Sequence, residues 1–170
     1  MIYNNSRFVT ISNTSFVDLA NFGIKAKNIT IINPGVNSGF FRPSIKTDYP
    51  SIVYFGGMRP YKRPEEALYL LKELLMEISN LKLTVIGEGP SRQGLKKLCD
   101  ELDLTNNIVF TGRISDEKVS EIVTSSWLNI HSSVTEELDI SIIEVASAGN
   151  LPLHIQFREF QIVYKTVSTA

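Results

Sequence analysis

Apolar and polar positions follow two rhythms along this chain. Short apolar runs at 51–55, 81–86, 108–110 and 128–130 are each bounded by Gly, Asn or Ser, as strands buried on both faces should be. A further strand is expected at 151–155. Between these runs lie helix-like stretches at 64–78, 94–102, 116–125 and 140–148. In the first of them Ala67, Leu68, Leu71, Leu74, Leu75 and Ile78 recur at the spacing of one helical face. Pro64 suits the first turn of that helix, and Ser115 suits the N-cap of the third. Nearer the start, β-rich runs at 8–12 and 29–32 flank a helical 16–22, and a polar, proline-containing stretch, 33–50, separates this piece from the rest. The repeated strand–helix–strand order predicts an α/β fold with a parallel sheet covered by helices on both faces. Ligands of such sheets sit beyond the carboxyl ends of the strands.

The loops expected at that edge carry the candidate chemistry. Three are glycine-rich: Gly56-Gly57-Met58, Gly87-Glu88-Gly89-Pro90 and Thr111-Gly112-Arg113. Glycine lets a backbone approach a ligand, but tight strand–helix turns also use it. None matches a phosphate cradle ending in Gly-Lys-Ser/Thr or a full Gly-x-Gly-x-x-Gly pattern. The first loop continues Arg59-Pro60-Tyr61-Lys62-Arg63-Pro64, three positive charges running into a helix start, which suits a diphosphate. A later loop and helix place Glu136 and Glu144 eight positions apart. Carboxylates there accept hydrogen bonds from sugar or ribose hydroxyls.

Composition narrows the partners. At 170 residues, 43% hydrophobic and with a formal charge of -1, this is an ordinary globular chain, with no basic surplus calling for nucleic acid. No apolar stretch approaches the length of a membrane span, so membrane contact would be peripheral at most. The single cysteine, Cys99, lies at a helical core position and is expected to be structural, in a reducing, cytoplasmic setting. Trp127 is expected in the core or a strand, and His131 at a strand end beside the glutamate loop.

Five segments in order resemble the donor-binding half of glycosyltransferase family 4, retaining enzymes of the two-domain GT-B fold. Ile32-Asn-Pro-Gly-Val-Asn-Ser-Gly-Phe-Phe-Arg-Pro43 resembles the family's interdomain segment, and Tyr54 to Pro64 its phosphate loop. Val85 to Pro90 and Val109 to Gly112 resemble its nucleotide-flanking loops, and His131 to Gly149 its Glu-x7-Glu signature. The resemblance implies a Rossmann-like C-terminal half of a GT-B fold. Residues 1–33 would be the end of an acceptor-binding domain, 34–50 an interdomain linker, and 51–170 the donor domain, incomplete at its C-terminus. It implies a UDP-, GDP- or ADP-sugar as donor, no cofactor and no metal, and, as a possible partner, an acceptor-domain subunit. By the same resemblance Lys62 and Glu136 would be catalytic. Arg59, Lys62, Gly56, Gly57, Gly87, Gly89, Gly112, Arg113, Glu136, Ile140 and Glu144 would bind the donor.

Departures from the family pattern bear on activity. Gly57 stands where the family has its phosphate-loop arginine, leaving Arg59 two residues on. Glu137 and Asp139 replace small residues, and a carboxylate ~4 Å from a diphosphate costs about 1–4 kcal/mol. Asp139 has a second reading as a helix N-cap. Gly149-Asn-Leu-Pro152 is one residue longer than the family's Gly-x-Pro. The alternatives to an enzyme are a nucleotide-sugar-binding module without transfer activity, or an interaction domain whose charges are only surface.

Overall fold

A computed structural model of the chain describes residues 6–35, 37, 39–133, 140–147, 149 and 151–154. They divide into two compact units, the first comprising the described residues up to 35 together with Ile140, the second the remainder. In that first unit β1 (Phe8–Thr10) pairs in parallel with β2 (Ile29–Ile31) across α1 (Asn13–Asn21). The helix begins three residues before the expected 16, because the Ser12 hydroxyl caps it by accepting from the Ser15 N–H at 3.0 Å. Val9, Val17, Phe22 and Ile32 of this unit stay exposed.

The second unit is built on five parallel strands: β3 (Ser51–Phe55), β4 (Lys82–Ile86), β5 (Ile108–Gly112), β6 (Leu128–His131) and β7 (Leu151–His154). Their order in the sheet is β5-β4-β3-β6-β7. The intervening helices are α2 (Glu65–Leu74), α3 (Arg92–Glu101), α4 (Asp116–Ser125) and α5 (Ile140–Ser147).

Alternation along each strand sends side chains to two separate cores. Ile52 and Tyr54 of β3, Leu83 and Val85 of β4 and Ile130 of β6 pack with Leu68 and Leu71 of α2 and Leu95 and Cys99 of α3. On the opposite face Val53 and Ile86 meet Val119 and Val123 of α4 and Val145 of α5. Both faces are therefore covered, as the continuous apolar runs require. Among the described residues β7 is an edge strand of this sheet, a position that accommodates Pro152.

Part of the polar stretch before β3 lies along α4. Phe41 is buried in the second core, and the Phe40 carbonyl accepts from the Ser120 hydroxyl at 2.7 Å. The Lys46 ammonium donates to the Thr124 and Ser126 carbonyls at the C-terminal end of α4, where a cation is favoured. Ser115 caps α4 as expected, accepting from the Lys118 N–H. The α2 stretch is shorter than its pattern: regular helix stops at Leu74, and Ile78 is reached only through a turn. No described helix is long and apolar enough to cross a membrane.

Candidate functional site

Two opposite excursions of the chain start from β3. It steps outward through β4 and β5, then returns to the other side of β3 with β6 and β7. Between β3 and β6 the direction reverses, and at such a reversal the loops leaving the two strands diverge and open a crevice at their carboxyl ends. The loop after β3 holds Gly56, Gly57, Arg59 and Lys62; the one after β6 leads to α5 and Glu144.

Backbone hydrogen bonds knit the three glycine loops together. The Gly56 N–H donates to Ile86, the Met58 N–H to Glu88, the Ser91 N–H back to Met58, and the Gly87 N–H to Gly112. Gly87, at φ +129°, has no room for a side chain, since a Cβ there would collide with the Gly56 carbonyl. A Cβ on Gly89 would collide with the Met58 carbonyl. These two glycines thus serve the approach of one loop to another. At Gly56 the space above the backbone holds functional groups instead: the Lys62 Nζ lies 3.7 Å, and the Tyr54 Oη 4.0 Å, from the place a Cβ would take.

The charges of the first loop are not equivalent. Arg63 pairs with Glu66 at 2.7 Å and lies 3.9 Å from Glu65, both in the first turn of α2. The helix start is closed as well, because the Glu66 and Ala67 N–H groups donate to the Arg63 and Pro64 carbonyls. An acidic first turn and these carbonyls thus stand at the helix start where the sequence suggested an anion. In the same loop Lys62 is half-buried and Arg59 exposed.

On the other side of the crevice, β6 ends in His131, 3% exposed, and the Ser141 hydroxyl of α5 is 3.5 Å from its Nδ1. Glu144 is one turn further along α5, on the same side as Ser141, and half-buried. Ser132, also 3% exposed, directs its hydroxyl at two carbonyls of the β3 loop, those of Lys62 at 2.7 Å and Arg63 at 2.8 Å. Arg63 has left-handed dihedrals, φ 45° and ψ 53°, uncommon for a residue with a side chain.

Of the sequence-predicted residues, Gly56, Gly57, Arg59, Lys62, Gly87, Gly89, Gly112 and Arg113 all lie at the carboxyl edge of the sheet, on three linked loops. Arg113 is exposed beyond β5, and Ile140, 42% exposed, opens α5. Glu136, Glu137 and Asp139 lie outside the described residues. Three features were missed. Glu88 lies across Gly112, its Oε1 2.7 Å from the place of a Cβ there, and is paired with Arg92 at 3.3 Å. Asn129 is wholly buried in β6, and neither amide atom has a hydrogen-bond partner among the described residues. The third is Ser132. Nothing in the local pattern marks it, whereas Glu88 stood inside a glycine loop already singled out. Trp127 is a correction: it is 47% exposed, just before β6, with its indole N–H donating to the Thr47 carbonyl. Among the described residues no three His, Cys, Asp or Glu side chains converge as metal ligands.

Comparison with known proteins agrees with this architecture. Residues 37–158 match the family described as glycosyl transferases group 1. A phosphatidylinositol N-acetylglucosaminyltransferase subunit from Arabidopsis thaliana is 24% identical over 132 residues, covering 76% of this chain and 30% of that protein. Anabaena HepE, solved with UDP and glucose, superposes with a TM-score of 0.76 at 16% identity, over 88% of this chain and 44% of that one. WaaG, a glycosyltransferase of lipopolysaccharide biosynthesis, gives 0.75 at 20% identity, over 86% and 43%. The chain spans less than a third of the length of curated relatives it matches, and under half of these solved chains. At such identities the structural likeness establishes the fold, which is that of GT-B glycosyltransferases. The family match extends from Asn37 through every strand of the five-stranded sheet, and the chain belongs to the group 1 glycosyl transferases.

Proposed function

We propose that this chain is the donor-binding half of a retaining, family 4 glycosyltransferase that moves a hexose from a nucleoside diphosphate sugar to an acceptor hydroxyl. One observation carries this reading: the cationic β3 loop and the loop into α5 leave neighbouring strands at the point where the strand order reverses. Lys62 and Arg59 would meet the diphosphate there and stabilise it as it departs, without need of a metal. Glu144 would accept hydrogen bonds from the ribose hydroxyls. Glu136 would lie near the transferred sugar, and Gly112 and Arg113 near the base. Attack on the sugar face that the nucleotide is leaving retains the anomeric configuration.

Acceptor contacts would come from a domain outside residues 37–158, in the same polypeptide or in a cytoplasmic partner subunit. The relative from Arabidopsis is itself named as a subunit. A binding module without transfer activity is the second reading, favoured by Glu137 and Asp139, whose charges would oppose a diphosphate.

Titration with UDP-, GDP- and ADP-sugars, followed by melting temperature, tests both readings. A donor at 100 times its dissociation constant should add about 2.7 kcal/mol of stability. No shift with any of them would remove both. Sugar transfer to an acceptor, assayed with and without the acceptor-side domain, then separates enzyme from binder.

A further inference from the structure

A hydroxyl on the β6 side of the crevice reaches the backbone of the β3 loop. Ser132 follows β6 directly, and its Oγ lies 2.7 Å from the Lys62 carbonyl and 2.8 Å from that of Arg63, some 70 residues earlier in the chain. The hydroxyl has one proton, so the two carbonyls share it as a three-centre bond. Those carbonyls belong to the residue carrying the ammonium over Gly56 and to the neighbour that turns the chain through left-handed dihedrals into α2. An arginine gains nothing locally from φ 45°. The Glu66 pairing on one side and the Ser132 hydroxyl on the other hold the turn in place.

We infer that Ser132 is a positioning residue for diphosphate binding: it fixes the backbone of Lys62 and Arg63 and so sets where the Lys62 ammonium stands. This rests on the nucleotide-sugar reading above. The hydroxyl reaches the diphosphate only through Lys62, so its loss should be felt by the phosphates and not by the nucleoside.

The test compares UDP with uridine, and GDP and ADP with their nucleosides, on the unaltered chain, Ser132→Ala and Ser132→Thr. Isothermal titration reads the diphosphates, and NMR shift titration reads the weaker nucleosides. Ser132→Ala should bind the preferred diphosphate about tenfold more weakly, the size of one hydrogen bond transmitted to a charge contact, with nucleoside affinity unchanged. Ser132→Thr, which keeps the hydroxyl, should restore it. Equal losses for diphosphate and nucleoside would mean a merely structural role and overturn the inference, as would no loss at all. An unaltered chain that binds no diphosphate would instead remove the nucleotide-sugar reading and this inference with it. Amide hydrogen exchange on the unaltered chain covers a variant that does not fold. The diphosphate should slow exchange at 59–63 and at 131–133 together, and protection of only one segment contradicts the link.

Discussion

Lys62 has its ammonium above the backbone of Gly56, which carries no side chain of its own, and near the Tyr54 hydroxyl. Removing a charged partner of a diphosphate typically loses about 1.5–3 kcal/mol. Lys62→Ala should therefore weaken nucleoside diphosphate binding tenfold or more, measured by calorimetry, while leaving the melting temperature of the free protein within a few degrees. Glu144 is expected at the ribose, so the unaltered chain should prefer UDP to 2′-deoxy-UDP and Glu144→Ala should lose that preference. Equal affinity of the unaltered chain for both nucleotides would contradict the ribose role. Cys99 gives a contrast. Burial, with a smaller contribution from the neighbouring Asp100 carboxylate, pushes its thiol pKa upward. It should resist iodoacetamide in the native protein and react only on unfolding.

Elements here are held at their ends as much as along their length. The strands of the sheet, read from short apolar runs, have almost the predicted limits, because burial on both faces leaves an unmistakable pattern. Helix ends were legible where a cap marked them, as at Ser115, and obscure where the cap sat inside a strand-like run, as at Ser12. The glycines of the loops were legible as a type but not in their use. For Gly87 the sequence left open ligand approach or a tight turn, and its missing side chain makes room for the Gly56 carbonyl. Gly87→Ala should accordingly cost about 1–3 kcal/mol in stability, seen in chemical denaturation, from a strained backbone and a direct clash. A neutral Gly87→Ala would mean the β3 and β4 loops are not packed as described.

The proposed donor site lies at one edge of the sheet, and Trp127 lies at the other. Trp127 donates its backbone N–H to the carbonyl of Ser51, the first residue of β3, so both stand at the amino end of the strands. The five residues of β3 span about 16 Å at the usual rise per residue, and the crevice lies at their far end. A donor nucleotide should therefore raise the melting temperature while leaving Trp127 emission unchanged. An emission change that saturates with the same affinity would place the site at the wrong edge.

Local pattern determined what each segment became and singled out the loops proposed to carry chemistry. Alternation, helical spacing, prolines and glycines act over a few residues, and the five motifs in order indicated the family. Tertiary structure alone decided which of those groups meet. The Arg63 charge is spent on α2, while Lys62 is turned over Gly56 and anchored from β6. Such pairings depend on strand order and on contacts between residues far apart in the chain. No local periodicity encodes them, because each bond forms only once the sheet has brought its two ends together.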